Sequence, residues 1–188
     1  MSEIDPATAA VPQGSVDSRA FRQTVARFVT GVTVIATEID GEIRAMTANS
    51  FTSLSLEPPL VLFCVGKATR TGQLIHSASG FSVNILRHDQ QALSTYFAGG
   101  WKEPQPPRFS FVTWVGSPRL EDCAAALGCA IQSIQEGGDH WIVIGRVLEL
   151  YRTEEMCPPL VFCGGCYTTV RPAPRAESVD LTFLISGF

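Results

Sequence analysis

The chain is poor in charge. Its 14 Lys and Arg and 18 Asp and Glu make only 17% of 188 residues charged and leave a formal net charge of −4. Without a basic stripe, or aromatics interleaved among the cations, nucleic acid is excluded as an expected partner and a small molecule is favoured. No run approaches the roughly 20 apolar residues that a membrane helix requires. The opening MSEIDPATAAVPQGSVDS lacks the positive start and apolar stretch of a secretory signal, so a cytoplasmic, non-membrane protein is predicted. There the six cysteines (Cys64, Cys123, Cys129, Cys157, Cys163 and Cys166) are expected to stay reduced, which excludes a disulfide framework.

Several catalytic signatures are missing too. GxGxxG and GxSxG do not occur, and Gly66-Lys67-Ala68-Thr69 is no P-loop because Val61 stands where its first glycine belongs. His76, His88 and His140 lie too far apart for a helical metal motif, and Cys163-Gly164-Gly165-Cys166 has no second CxxC pair. No metal is expected. Redox chemistry on such a chain has to come from a bound organic cofactor.

What is present suits one domain, since 188 residues with 45% hydrophobic content can bury a single sizeable core. Arms are expected at 1–16 and 171–188, around a domain at 17–170, with the second arm docking through the apolar residues of 181–188. Asp17 or Ser18 can cap a helix carrying Phe21, Val25, Phe28 and Val29 and ending near Gly31. Strands are predicted at 32–37 and 43–48 as a hairpin around Asp40-Gly41, and at 81–86, 125–136, 140–153, 160–163 and 166–170. The apolar run 60–65 predicts a strand buried on both faces. Helices fit 71–79 and 89–97, and prolines 104, 106 and 107 make 99–108 a loop with Trp101 at its tip. Strands outnumber helices, which predicts a mainly β, closed architecture.

One segment demands more explanation. AMTANSFTSLS, residues 45–55, sets an amide and many hydroxyls beside the buried run LVLFCV, and polar groups leaving water need partners. Turn backbone supplies such partners, and so does a polar ligand.

With FRQTVARFVTGVTVIAT before it and KATRTGQLI, FSVNIL and GDH (138–140) after it, this segment resembles the short-chain flavin reductase family. These are the NAD(P)H:flavin oxidoreductases that serve two-component monooxygenases. The resemblance spans roughly residues 18–170, with the motifs in family order. It implies an FMN-binding split β-barrel, a Greek-key barrel with a few flanking helices, acting as a homodimer with flavin near the subunit interface. FMN or FAD and NADH or NADPH are the implied cofactors.

Residue by residue, the resemblance sets Thr47, Ala48, Asn49 and Ser50 at the isoalloxazine edge and ribityl chain, with Ser53 beside them or in a turn. Cys64 matches the small residue under the ring. Lys67, Arg70 and Thr71 match the phosphate segment, where two cations and a hydroxyl would meet an anion. His140 is implied to orient the nicotinamide, and Tyr167 to lie on the flavin's exposed side near it. No side chain is expected to act as acid or base in the hydride step. Cys163 departs from the family, many of whose members carry a basic or imidazole residue there. The implied function is NAD(P)H-dependent flavin reduction that supplies a partner monooxygenase. The alternatives are a reductase with tightly bound FMN acting on another acceptor such as a corrin, and a non-catalytic flavin-binding module.

Overall fold

A computed structural model describes residues 16–154 and 157–170. The arms expected at 1–16 and 171–188 lie, apart from Val16, outside the described residues. In chain order the elements are helix α1 (Ser18–Val25), strands β1 (Thr30–Gly31), β2 (Thr33–Ile39), β3 (Glu42–Ala48), β4 (Thr52–Leu56) and β5 (Pro59–Gly66), and helix α2 (Arg70–Leu74) with a 3-10 turn (Ile75–Ser77). Then come β6 (Gly80–Ile85), α3 (Gln91–Phe97), β7 (Phe111–Val112), β8 (Arg119–Leu120), β9 (Ala125–Gly137), β10 (His140–Arg152), β11 (Val161–Cys163) and β12 (Cys166–Thr168).

The mainly β expectation holds. Seven antiparallel strands in the order β3-β2-β6-β9-β10-β5-β4 form the main sheet, and β1-β11-β12 a smaller one. Asp40 and Gly41 both take positive φ at the β2–β3 turn, which is what a tight hairpin asks of them.

The closed ladder is a correction, because β3 and β4 end the seven-strand order and do not pair with each other. Side chain replaces backbone at that split. The Ser50 hydroxyl, two residues past β3, accepts from Cys64 N–H at 3.0 Å and donates to Cys64 C=O at 3.1 Å on β5. The curled sheet is thus joined where its ladder stops.

The core lies on both sides of β2, which gives Ile35 to one apolar cluster and Val34 to the other, while β6 gives Phe81 and Val83 to the first and turns the buried polar Ser82 and Asn84 the other way. The first cluster gathers Ile35, Phe63, Val65, Ile75, Phe81 and Val143; the other gathers Val34, Val32, Leu86, Leu93, Leu120 and Leu160. Phe63 and Phe81 meet edge to face at 4.9 Å between centroids, and each contributes about 2–3 kcal/mol of burial. The strand at 60–65, expected to be buried on both faces, alternates instead: Val61, Phe63 and Val65 are buried while Leu62 and Cys64 are half-buried. Its second face looks toward the split rather than into a second layer.

Two more expectations change. Helix α1 starts as predicted, with Asp17 Oδ1 accepting from the backbone of Arg19 and Ala20 at 3.1 and 2.8 Å, but it stops at Val25. The chain is drawn off into β1, where Thr30 pairs with Phe162 and Gly31 with Val161. Phe21, Val25, Phe28 and Val29 stay 52–75% exposed, so α1 buries no apolar face among the described residues. Segment 52–56, for which no strand was predicted and in which Ser53 was allowed a turn, is strand β4, paired with β5 across a bulge between Ser53 and Ser55.

Candidate functional site

Two places receive the residues singled out by the resemblance. The first lies where β3 ends. Thr47 donates to the Ser94 carbonyl of α3 at 2.6 Å, and the Ser94 hydroxyl pairs with the Tyr167 hydroxyl at 2.8 Å. Ser94 is fully buried, so its two bonds tie β3, α3 and β12 together around a cavity of about 180 Å³. Val32, Thr47, Asn49, Ser94, Phe162 and Tyr167 line it. Asn49 and Phe162 also line a wider groove of about 500 Å³ floored by Ser50, Phe51, Thr52 and Thr30 and walled by α1.

The second place lies at the far end of β5. His140 is in register with Gly66, and a Cβ on Gly66 would stand only 3.7 Å from His140 Nε2. Lys67 N–H donates to the Asp139 carbonyl at 2.9 Å, which clamps the 66–71 loop against the β9–β10 turn. Thr69 caps α2 by accepting from Gly72 N–H at 3.0 Å. Gly72 packs so tightly that a Cβ there would meet the Gly66 oxygen at 2.1 Å.

His140 is held by its neighbour, with Nδ1 2.7 Å from Asp139 Oδ1. That hydrogen bond, and the charge of the imidazole when protonated, hold the Asp139 carboxyl below its usual range. An ionised carboxylate only accepts, so Nδ1 carries the proton and Nε2 is left to face a ligand. Lys67 is already engaged: Nζ lies 3.1 Å from Glu136 and 4.4 Å from the centroid of Trp141, whose ring meets His76 edge-on at 4.7 Å. Arg70 is exposed on the first turn of α2 and forms no ion pair among the described residues. Thr71 is half-buried beside it.

The structure therefore brings Thr47 and Tyr167 to the small cavity and Ser50 to the adjoining groove, with Asn49 lining both and Ala48 buried between them in sequence, and it sets Lys67, Arg70 and Thr71 in the loop and helix start beside His140. Cys64 lies between the two on β5, with burial pushing its thiol up. Ser53 is exposed on edge strand β4 and lines neither cavity. Tyr167 and His140, both assigned above to the nicotinamide, stand on different strands, and Tyr167 groups with the residues assigned to flavin.

Ser94, Thr30 and Phe162 are additions that the sequence did not signal. Ser94 sits in a short helix whose spacing marked only Leu93 and Phe97, and nothing in its neighbours hints at a bond to residue 167. Phe97 proves to be packing, in an aromatic cluster with Tyr96, Phe109 and Phe111. Trp101 donates to the Gln105 carbonyl at 2.8 Å within its own loop.

The first hollow suits a planar heteroaromatic ring. Its walls are largely apolar with a few convergent polar groups, and Thr30 Oγ1, shielded from solvent, has no hydrogen-bond partner among the described residues. Such an orphan is costly unless a ligand atom satisfies it.

Fold and cavity are of a kind that can hold a planar cofactor, and sequence and structural likeness give the family. Residues 25–171 match the model of the flavin reductase like domain, and the chain belongs to that family. The chain is 39% identical over 176 residues to the reductase subunit HsaB of a flavin-dependent monooxygenase from Rhodococcus jostii, covering 92% of this chain and 87% of that one. It is 40% identical to an NADH-dependent FAD reductase from Streptomyces globisporus, over 83% of this chain and 86% of the relative. Among solved structures, flavin reductase PheA2 superposes with a TM-score of 0.78 at 38% identity, covering 84% of this chain and all of the other. The Streptomyces globisporus NADH:FAD oxidoreductase SgcE6, in complex with NAD and FAD fragments, gives 0.74 at 36% identity, covering 86% and 96%.

Proposed function

We propose that this chain is an NAD(P)H:flavin oxidoreductase that reduces FMN or FAD and supplies the reduced flavin to a partner monooxygenase. The observation that carries the reading is the hollow at Thr47, Asn49, Ser50 and Tyr167, apolar with an orphaned hydroxyl, in a chain of this family. Bound there, the flavin would supply a two-electron acceptor.

The protein's part is positioning. The backbone N–H groups of 47–50 and the open carboxamide of Asn49 would hold the ring edge where negative charge develops, while the hydroxyls of Thr47 and Ser50, bonded to Ser94 and Cys64, fix that segment, and Cys64 would be the small residue nearby on β5. Ser53 belongs to the outer rim of this set. Arg70 and Thr71 take the phosphate at the head of α2, and Lys67 joins them by leaving Glu136. His140, its ring fixed by Asp139, orients the nicotinamide, and Tyr167 closes the hollow from the other side. No side chain has to move a proton for hydride to transfer.

The proposal includes a cytoplasmic homodimer. The exposed Phe21, Val25 and Phe28 at the groove, with exposed Val29 next in sequence, support a second subunit there.

The test is anaerobic oxidation of NADH and NADPH with added FMN, FAD or riboflavin. Saturable flavin-dependent turnover is expected, with kcat/KM for the nicotinamide substrate falling about tenfold or more in His140→Ala. Wild-type protein that binds flavin but turns over none of the three sinks the reading.

A further inference from the structure

Cys163 and Cys166 take no part in the site described above, yet they are direct partners in the β11–β12 ladder. The two residues between them, Gly164 and Gly165, have φ of 61° and 83°, the paired left-handed conformation of a two-residue hairpin turn. Residues facing each other across an antiparallel pair project from the same side of the sheet. The hydrogen-bonded pair that closes such a turn has its Cα atoms about 5.5 Å apart. A disulfide spans about 4.4–6.8 Å.

Access and reactivity distinguish this pair from the remaining thiols. Cys166 is exposed and Cys163 half-buried, whereas Cys123 and Cys129 are buried. Burial pushes the thiols of Cys64 and Cys123 up, and that of Cys129 to about 12, so none of the three readily offers a thiolate. Cys157 has no cysteine opposite it in any described ladder.

We propose that Cys163 and Cys166 form a peroxide-sensitive dithiol that closes to a disulfide across the Gly164-Gly165 turn. One thiolate attacks hydrogen peroxide, the O–O bond breaks, and a sulfenic acid and one water result after proton transfer. The second thiol then attacks the sulfenic sulfur, the S–S bond forms, the S–O bond breaks, and a second water leaves. The two thiols supply both electrons and peroxide accepts them. The strap joins residues immediately flanking Phe162 and Tyr167, which line the small cavity. Dithiothreitol, attacking through thiol–disulfide exchange, returns the pair to two thiols.

The experiment treats the full-length protein with a graded excess of hydrogen peroxide, alkylates free thiols, and digests it for mass spectrometry. The tryptic peptide that starts at Thr153 and holds both cysteines also carries Cys157. It should become lighter by two hydrogens and escape alkylation at Cys163 and Cys166, while fragmentation finds Cys157 still alkylated. It should recover both alkyl groups after dithiothreitol, and neither Cys163→Ser nor Cys166→Ser should give that form. Continued alkylation of both cysteines after peroxide, or separate sulfinic acids on them without a linkage, overturns the proposal. Thiol state is read without flavin or turnover, so failure here and failure of the reductase reading are distinct results.

Discussion

Asn84 and Asn49 place the same carboxamide in opposite surroundings. Asn84, fully buried on β6, donates to the Val34 carbonyl and the Ser82 hydroxyl, both at 2.9 Å, and accepts from Leu120 N–H at 2.8 Å. Asn49, exposed just past β3, forms no side-chain hydrogen bond among the described residues and lines both cavities. A buried amide with its bonds filled by the protein fixes the packing of strands and loop. One left with open bonding capacity at a hollow does nothing for stability and is available to a ligand.

The largest expected effect breaks the satisfied side. Asn84→Ala strands the Val34 carbonyl and Leu120 N–H in the core, at a cost of about 3 kcal/mol. The melting temperature should fall by about 6–12 °C, followed by circular dichroism. A fall under about 2 °C would mean that water replaces the side chain and that the two asparagines are not so different.

Asn49→Ala sharpens the other side. Flavin affinity, measured by fluorescence titration, should weaken about 3- to 10-fold, the worth of one net hydrogen bond, while melting stays within about 2 °C of wild type. Loss of stability without loss of affinity would reverse the assignment.

The smallest effect concerns the exposed pair at the second place. Asp139→Asn should leave melting unchanged and raise KM for NADH about two- to threefold, since exposed pairs count for little except in orientation. The pH sign follows from the lowered carboxyl: Asp139 stays ionised above the ordinary value of about 3.9, so its hold on His140 is complete there. It is lost only as pH falls through the depressed value. Between pH 5 and 7 Asp139 should therefore contribute no pH dependence to KM, and a rise with acid in that range that is present in wild type and absent from Asp139→Asn would overturn this assignment.

These contrasts also explain what the sequence disclosed. The β2–β3 and β9–β10 hairpins were legible because β-prone residues on both arms and Asp40-Gly41 or Gly138-Asp139 at the turns agree with one another. Strand β4 was not, because only Ser55 of its five residues is even half-buried, so no alternation betrays it. Strand β1 is two residues long and exists only by pairing with β11, far along the chain. The hollow was legible at Thr47, Asn49 and Ser50 through the family segment. Ser94 was not, because its meaning comes from a tyrosine 73 positions later.

Gly72 sets a limit of another kind. Its missing side chain is what allows α2 to rest on the Gly66 carbonyl. Ala68 and Arg70, exposed in the loop and at the helix start, can be replaced without entering that contact. At Gly72 every other residue puts a carbon into an oxygen. Ligand contacts in this segment can therefore be redesigned from the loop, but not from the glycine on which the helix rests.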